Sequence, residues 1–266
     1  MLPAAVTDPS FKPCKICGSK ADLYGVVDFH KSCLEQKGYK LNLSGIPIYY
    51  RRCAQCSFVF TDAFDNWSHQ DFERRIYNAD YAKVDPEYLD SRPEKNAEFI
   101  NLAFGAGKTG LRVLDYGGGN GALADTLRRD GYTADSFDPF SQHNVRPTGK
   151  ANLLTAFEVM EHVPEPHRTV DDMLSLLEPD GIVLFSTLLQ PPDFDQIGLN
   201  WWYIGPRNGH ISIYSPLTLE HLFKPKGLSM VSLNGGMHLA CRNMAAAFDT
   251  GPMRFLTSVN SAVSAA

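Results

Sequence analysis

The sequence contains no apolar run long enough to cross a lipid bilayer, and its first five residues lack the basic stretch that opens a secretory signal. It also has little charge excess: 25 Lys and Arg residues stand against 30 Asp and Glu residues, for a net charge of −5. That balance argues against a large nucleic-acid surface but leaves a local basic patch open. We therefore expect a cytoplasmic protein with no membrane partner and with a charge that disfavours nucleic acid.

Cysteine is scarce after residue 60, because five of the six cysteines come before it. In a reducing compartment such cysteines are more often metal ligands than disulfides. Two Cys-x-x-Cys segments each put two thiolates on one tight turn, which predicts a tetrahedral, structural zinc site. The predicted ligands are Cys14, Cys17, Cys53 and Cys56. The loop between them is longer than usual and contains His30 and Cys33, so either could replace a ligand. Free buried thiols are the alternative.

Residues 111–121 are the stretch around which the chain is organised. They predict a buried strand, a glycine turn and the start of a helix at residues 122–129, the arrangement that lets a nucleotide-like ligand approach the backbone. Asp115 precedes the glycines, so its carboxylate should repel a pyrophosphate and attract an ammonium group. S-adenosylmethionine (SAM) carries that ammonium. Asp138 follows at the spacing of a ribose-binding acid.

Residues 115–121, Asp138 and residues 156–163 together resemble class I SAM-dependent methyltransferases, and the last segment resembles the ubiquinone-type O-methyltransferases. The resemblance covers roughly residues 77–244. It implies an α/β, Rossmann-like, seven-stranded sheet with a closing antiparallel hairpin and with SAM as cofactor. It implies these cofactor-binding residues: Asp115, Gly117, Gly118, Gly119, Gly121, Asp138, Pro139, Phe157, Glu158 and Tyr81.

A length of 266 residues allows one or two domains. We predict a zinc-ribbon-like domain at residues 1–62, similar to the zinc-binding domain that precedes some sugar methyltransferases. A helical and aromatic connector at 63–104, the SAM-binding domain at 105–248 and a flexible tail at 249–266 follow it. Periodicity and capping residues predict the following elements: helices at 93–104, around 170–177 and from Ser215–Pro216; strands at 132–137, 151–157 and 182–185; a turn at 179–181; and a hairpin of 228–233 with 237–242.

Glu158, Glu161 and His162 follow the strand at 151–157, and one helical turn would place them on the same side. Two carboxylates and an imidazole suit a divalent cation, Mg²⁺ or another, with His210 as a fourth ligand. The set resembles that of small-RNA terminal 2′-O-methyltransferases. His162, His210 and Glu161 are accordingly the predicted catalytic residues. The alternative is that the acids bind backbone amides or the cofactor and that His162 acts alone or is structural.

The aromatic run Trp201, Trp202 and Tyr203 falls where this family usually carries acceptor contacts, so we predict substrate binding there; a hydrophobic lid is the alternative. The predicted function is O-methylation of a small-molecule or sugar-derived metabolite. One alternative is a metal-dependent RNA terminal-ribose methyltransferase, and another is a catalytically inactive binding module of the same fold. A dehydrogenase is a more distant alternative, and the sequence leaves the oligomeric state open.

Overall fold

A computed structural model describes residues 11–78, 80–85, 91–139 and 144–249. The strands of the described residues are β1 Lys12–Pro13, β2 Lys20–Asp28, β3 Pro47–Cys53, β4 Val59–Thr61, β5 Arg112–Tyr116, β6 Thr133–Phe137, β7 Ala151–Phe157, β8 Leu177–Ser186, β9 Ser212–Ile213, β10 Ser229–Ser232 and β11 Met237–Cys241. The helices are α1 His69–Arg75, α2 Tyr81–Val84, α3 Ser91–Phe104, α4 Ala122–Arg129, α5 Pro166–Ser175, α6 Phe194–Ile197, α7 Pro216–Phe223 and α8 Met244–Asp249. No helix among these residues is long and apolar enough to span a membrane.

The larger sheet has the strand order β10-β11-β8-β7-β5-β6. Strands β8, β7, β5 and β6 pair in parallel, and β11 and β10 add antiparallel pairs at one edge. The described residues thus supply six strands of this sheet, against the predicted seven. The described residues 144–150, between β6 and β7, contain neither helix nor strand, and residues 140–143 lie outside the described range.

Burial explains why the central strands hold the core. Strand β7 is buried at six of its seven positions, as expected for a parallel strand covered by helices on both faces. Helices α3 and α4 cover one face with Ile100 and Leu127, and α5 and α7 cover the other with Met173 and Leu222. The sheet therefore places the carboxyl ends of β5, β6 and β7 at one rigid edge.

Local sequence signals fix most helix starts. Helix α4 has the predicted bounds, and Ser215 caps α7 by accepting a hydrogen bond from the Thr218 N–H at 3.1 Å, with Pro216 at the first helical position. The predicted turn at 179–181 is wrong, because those residues lie within β8. The pairing register shifts at this point, because Ala151 pairs with Leu177 and Leu153 pairs with Ile182. A step of two residues along β7 thus corresponds to a step of five along β8.

The N-terminal segment forms a second sheet of order β1-β2-β3-β4-β9. Its last strand, β9, comes from the distant segment that follows His210, and Phe60 of β4 pairs with Ser212. The Tyr50 hydroxyl donates to the His210 carbonyl at 2.6 Å. The N-terminal sheet is thus completed by a strand from the C-terminal half of the chain. The proposed domain limits stay a prediction, and of the predicted tail only Asp249 is described, at the end of α8.

Replacing Ser215 by Ala should destabilise this junction, because the hydroxyl caps α7 and also donates to the Cys56 carbonyl at 3.0 Å. We expect Ser215→Ala to lower the free energy of unfolding by about 1–2 kcal/mol. Urea denaturation measures it. The exposed edge residue Ser229 provides a matched control, and Ser229→Ala should change the free energy by less than about 0.5 kcal/mol. Equal effects of the two changes would contradict the capping role.

Candidate functional site

A cleft of about 1070 Å³ opens at the carboxyl ends of β5, β6 and β7. Its walls include nine of the ten residues that the sequence predicts for the cofactor: Asp115, Gly117, Gly118, Gly119, Asp138, Pro139, Phe157, Glu158 and Tyr81. The tenth, Gly121, stands at the N-cap of α4 with φ +78°. Open parallel sheets bind ligands at this edge, so position and lining both mark the cleft as a ligand site.

The glycine turn brings the backbone close to the floor of the cleft. Gly117 has φ +73°, a conformation that disfavours other residues, and its N–H donates to the Phe137 carbonyl at 2.8 Å. A side chain at Gly118 would overlap the carboxylate of Asp115 and the hydroxyl of Ser136. The turn therefore requires glycine at both positions, and it leaves open space where a ligand can approach.

Asp115 lies beneath this turn at the end of β5. Only 3% of its surface is exposed, and one carboxylate oxygen accepts a hydrogen bond from Thr155 Oγ1 at 3.0 Å. Burial, with a smaller contribution from the negative charge of Asp138, raises the pKa of Asp115 to about 7, against the lowering effect of the Thr155 hydrogen bond. A cationic ligand group in the cleft would stabilise its ionised form.

Asp138, at the end of β6, is tied to the same turn. Its Oδ2 accepts the Gly119 N–H at 2.8 Å. The bond fixes the carboxylate against the glycine turn at the cleft wall. Pro139 follows at the lip of the cleft.

The opposite wall comes from the connector between the two sheets. Tyr77 and Tyr81 line it with their ring centroids 5.2 Å apart, and Trp67 lines it as well. Arg92, at the start of α3, forms a bidentate ion pair with Asp85 at 2.9 and 3.1 Å inside the cleft. Sequence reasoning misses this pair; the only signal is a cation directly before Pro93.

The segment after β7 takes a strained path. Glu158 has φ +54°, which is unusual for a residue with a side chain and marks a backbone held by its surroundings. Its N–H donates to Ser186 Oγ at 2.8 Å, and that hydroxyl donates to Glu158 Oε1 at 2.9 Å. The side chain is therefore anchored to β8 at the cleft wall.

Glu161, His162 and His210 meet behind that wall, with one potential ligand atom of each lying within 4.8 Å of the others. A backbone hydrogen bond holds the two segments together, since the Ile211 N–H donates to the Glu161 carbonyl at 2.8 Å. His162 lines the cleft. Neither Glu161 nor His210 is among the described lining residues. Glu158, the remaining predicted ligand, is not part of this group of three residues.

Burial dominates the electrostatics of this cluster. It raises the pKa of Glu161 well above its usual range, and the nearby charge of Glu158 adds to the effect. It lowers the pKa of His162 well below its usual range, with a further contribution from His210, and lowers that of His210 to about 4. The His210 Nδ1–H donates to the Tyr203 carbonyl at 2.9 Å, so its Nε2 keeps a lone pair.

Two atoms of the cluster are buried without a hydrogen-bond partner among the described residues: Glu161 Oε2 and His162 Nδ1. Such atoms are rare in folded proteins, and each calls for a ligand, an ion or a water. Gly209 allows the close approach, since a Cβ there would lie 2.9 Å from His162 Nδ1 and 3.2 Å from the Tyr77 hydroxyl.

Trp201, Trp202 and Tyr203 are placed differently from the expectation. None of the three is among the described residues that line the cleft; Trp201 and Tyr203 are buried in a hydrophobic cluster, and Trp202 packs against it. The Tyr203 hydroxyl donates to Glu161 Oε1 at 2.6 Å. These aromatics pack with residues of the N-terminal sheet, and their acceptor contact stays a prediction.

The four predicted zinc ligands converge. The sulfur atoms of Cys14, Cys17, Cys53 and Cys56 all lie within 4.8 Å of one another, with Cys14–Cys56 at 3.6 Å and Cys17–Cys53 at 3.4 Å. A tetrahedral zinc with bonds of ~2.3 Å needs sulfurs about 3.8 Å apart, so the spacing fits. Neither alternative ligand joins them: Cys33 lies 3.6 Å from His210 Nδ1, and His30 lies 2.8 Å from the Asn42 carbonyl.

The cleft lining is strongly acidic. Its described residues carry nine carboxylates, those of Asp65, Glu73, Asp85, Asp115, Asp138, Glu158, Glu165, Asp171 and Asp172. They carry three guanidinium groups, those of Arg92, Arg146 and Arg168, and no lysine. Each guanidinium is paired with an acid of the same lining, at 2.9 Å to Asp85, 2.8 Å to Asp172 and 3.0 Å to Glu165.

Comparisons with known proteins agree with this geometry. Residues 88–233 match the family model described as a methyltransferase domain. Two curated relatives are ubiquinone biosynthesis O-methyltransferases of Escherichia coli. That of O9:H4 strain HS is 28% identical over 148 residues, covering 46% of this chain and 55% of that protein. That of O139:H28 strain E24377A is 31% identical over 107 residues, covering 31% and 45%. The chain thus spans about half the length of the curated relatives it matches.

Two solved structures show more distant likeness. Magnesium protoporphyrin IX methyltransferase from Synechocystis PCC 6803, with bound SAM, is 16% identical with a TM-score of 0.43, covering 68% of this chain and 94% of that one. The 1,6-didemethyltoxoflavin-N1-methyltransferase of Burkholderia thailandensis is 11% identical with a TM-score of 0.46, covering 76% and 96%.

The raised pKa of Asp115 predicts a pH-dependent cost in stability. Its protonated form is favoured in the fold, so its contribution to the free energy of unfolding is present at low pH and is lost as pH rises from about 4 to about 7. Asp115→Asn should therefore be more stable than the parent at pH 8, by up to about 4 kcal/mol, and the gap should close near pH 4. Urea denaturation across this range, without ligand, measures it.

The exposed Asp180 is the matched control, and Asp180→Asn should leave the pH dependence of stability unchanged. If Asp115→Asn is destabilised at pH 8, the carboxylate is stabilised by groups other than those described here.

Proposed function

We propose, from the premise that this chain belongs to the methyltransferase domain family of class I SAM-dependent methyltransferases, that it transfers the methyl group of SAM to an oxygen atom of a small-molecule acceptor. The observation that carries the proposal is the buried Asp115 carboxylate beneath a glycine turn at the floor of an open cleft. A carboxylate in that position favours an ammonium-bearing nucleoside over a diphosphate.

Three charged side chains suit the three polar parts of the cofactor. Asp115 would take the ammonium group, and Asp138, held at the rim by the Gly119 N–H, would take the ribose diol. Arg92 is the guanidinium that shares the inner cleft with them, so it would take the cofactor carboxylate, with Asp85 fixing its orientation. SAM supplies an electrophilic methyl group on its sulfonium.

His162 is the residue proposed to remove the acceptor proton. Its pKa is lowered by burial, so the ring is neutral at physiological pH and can accept a proton. The residue lines the cleft, and its buried Nδ1 has no hydrogen-bond partner among the described residues. An acceptor hydroxyl bound there would give its proton to Nδ1 as its oxygen bonds to the methyl carbon and the carbon–sulfur bond breaks.

The same cluster supports a second role, in which a divalent cation sits between Glu161, His162 and His210. The partnerless Glu161 Oε2 and His162 Nδ1 favour it, because one ion would satisfy both atoms. Two imidazoles and one carboxylate suit zinc, manganese or iron better than the Mg²⁺ expected from sequence. A cation there would lower the pKa of an acceptor hydroxyl, and His162 would then be a ligand and not the base.

The cysteine cluster is proposed to bind structural zinc. Backbone N–H groups of Ile16, Gln55 and Cys56 point at the Cys14 and Cys53 sulfurs at 3.4–3.5 Å, as at zinc knuckles, where they stabilise thiolates. Four cysteines leave no open position for chemistry. The zinc would staple β3 to the start of the chain.

Cofactor binding tests the main proposal. We expect calorimetric titration with SAM to give heat and Asp115→Asn to weaken the affinity at least about tenfold, because the ammonium loses its counter-charge. His210→Ala should lower turnover far more than it lowers SAM affinity. The control Asp180→Asn should bind as the parent does. No heat with the parent chain, or an unchanged affinity in Asp115→Asn, would remove the cofactor assignment.

Metal analysis tests the two metal proposals together. The purified chain should contain one zinc per chain for the cysteine cluster, and Cys53→Ser should lose it along with thermal stability. If the second cation exists, the parent contains a further equivalent that His210→Ala lacks, and chelation slows turnover before it unfolds the chain. A parent with one zinc and full activity in chelator would leave His162 as the base.

A further inference from the structure

We propose that the outer part of the cleft selects a ring-bearing acceptor that carries no negative charge, packed against Trp67 and Tyr77 with Glu73 beside it. The proposal rests on the proposed methyl transfer and narrows its substrate class. It excludes phosphorylated metabolites, nucleotide-linked sugars and nucleic-acid ends as acceptors.

The first argument for this proposal is the negative charge of the cleft lining, which disfavours a phosphate group. A phosphate needs an available cation or a set of free N–H groups. Arg92 would be taken by the cofactor carboxylate, and Arg146 and Arg168 are already paired with Asp172 and Glu165. The lining has nine carboxylates against three guanidinium groups, and two lysines from outside it, Lys15 and Lys226, pair with Asp65 and Asp171, which leaves four carboxylates in excess. A phosphate placed there would meet uncompensated negative charge, which weakens its binding in a partly buried site.

The bound cofactor does not reverse this balance. SAM has one ammonium and one sulfonium group against one carboxylate, so it would offset only one of the excess negative charges. The amine and the sulfonium would also lie on the cofactor side, near Asp115 and Glu158. The acceptor side keeps Glu73, an exposed acid of α1 that lines the cleft.

The second argument is the aromatic wall formed by Trp67 and Tyr77, on which a ring can stack. Trp67 packs edge-on against Phe64 and Phe72, with centroid distances of 4.6 and 5.2 Å, and Arg75 lies 5.6 Å from its ring centroid. These contacts hold the indole in place at the wall of the cleft. A preformed aromatic surface stacks on the flat face of a ring at little entropic cost.

Tyr77 connects this wall to His162, the proposed base. Its ring lies edge-on to His162, with centroids 6.0 Å apart, and both residues line the cleft. A ring that packs against Tyr77 therefore lies next to the imidazole of His162, whose buried Nδ1 lacks a partner in the described chain. The unpartnered nitrogen is an independent sign that a polar ligand group belongs at this point.

The test uses the full chain saturated with S-adenosylhomocysteine, which cannot react. Three probes that share one ring are titrated by calorimetry: catechol, its aminoethyl derivative dopamine, and catechol monophosphate. We expect dopamine to bind at least as tightly as catechol, and the phosphate probe to bind at least about tenfold more weakly than catechol.

Variants assign the effect to residues. Glu73→Gln should weaken dopamine about threefold and leave catechol unchanged, as for one exposed carboxylate, and Glu73→Lys should narrow the deficit of the phosphate probe. Trp67→Leu should weaken all three probes alike. The matched control is Glu98→Gln, an exposed acid on α3 that is not part of the described lining.

Three outcomes overturn the proposal. If the phosphate probe binds as tightly as catechol, the acceptor is phosphorylated, and an RNA end or nucleotide becomes the class to pursue. If S-adenosylhomocysteine binds but neither catechol nor dopamine does, the acceptor class is wrong and the proposed methyl transfer stands. If S-adenosylhomocysteine gives no heat, both fail.

Discussion

A carboxylate held out of water beneath a turn of glycines is the constraint on which the rest of the site depends. Among the described residues Asp115 has a single hydrogen-bond partner, the Thr155 hydroxyl, and the turn above it leaves no room for any side chain at Gly118. Burying an acid in this way is unfavourable unless a positive group arrives. The cleft is therefore built at some cost to stability, and this is typical of binding sites that are completed by their ligand.

The N-terminal sheet and the candidate site depend on each other. The Tyr50 hydroxyl holds the His210 carbonyl, and the Thr61 N–H donates to the Ile211 carbonyl at 3.1 Å. The cysteine cluster lies on the same strands, since β3 ends at Cys53 and β4 begins at Val59. Any metal bound by the cysteines would thus stabilise the position of His210, although it lies outside the cleft.

Features that local chemistry decides were predictable from the sequence. The α4 helix, the β7 strand and the Ser215 cap follow from spacing and capping residues within a few positions. The Trp201–Tyr203 run could not be placed in this way, because its burial depends on the N-terminal strands that pack over it. Arg92 and Trp67 were missed for the same reason: residues of the connector face the cleft only once both sheets have met. The excess of acid in the lining is also a property of the assembled cleft, since the chain as a whole is only mildly acidic.

The pairing of β4 with β9 has a consequence for how the chain is made. Two of the side-chain hydrogen bonds that tie this region together, Tyr50 with His210 and Ser215 with Cys56, span 160 and 159 residues. During synthesis the N-terminal sheet therefore emerges with the edge of β4 open, and it stays open until most of the chain has left the ribosome. Contacts of such long range form slowly, and an open strand edge can recruit another chain in the meantime. The N-terminal sheet is in this way made well before the strand that completes it.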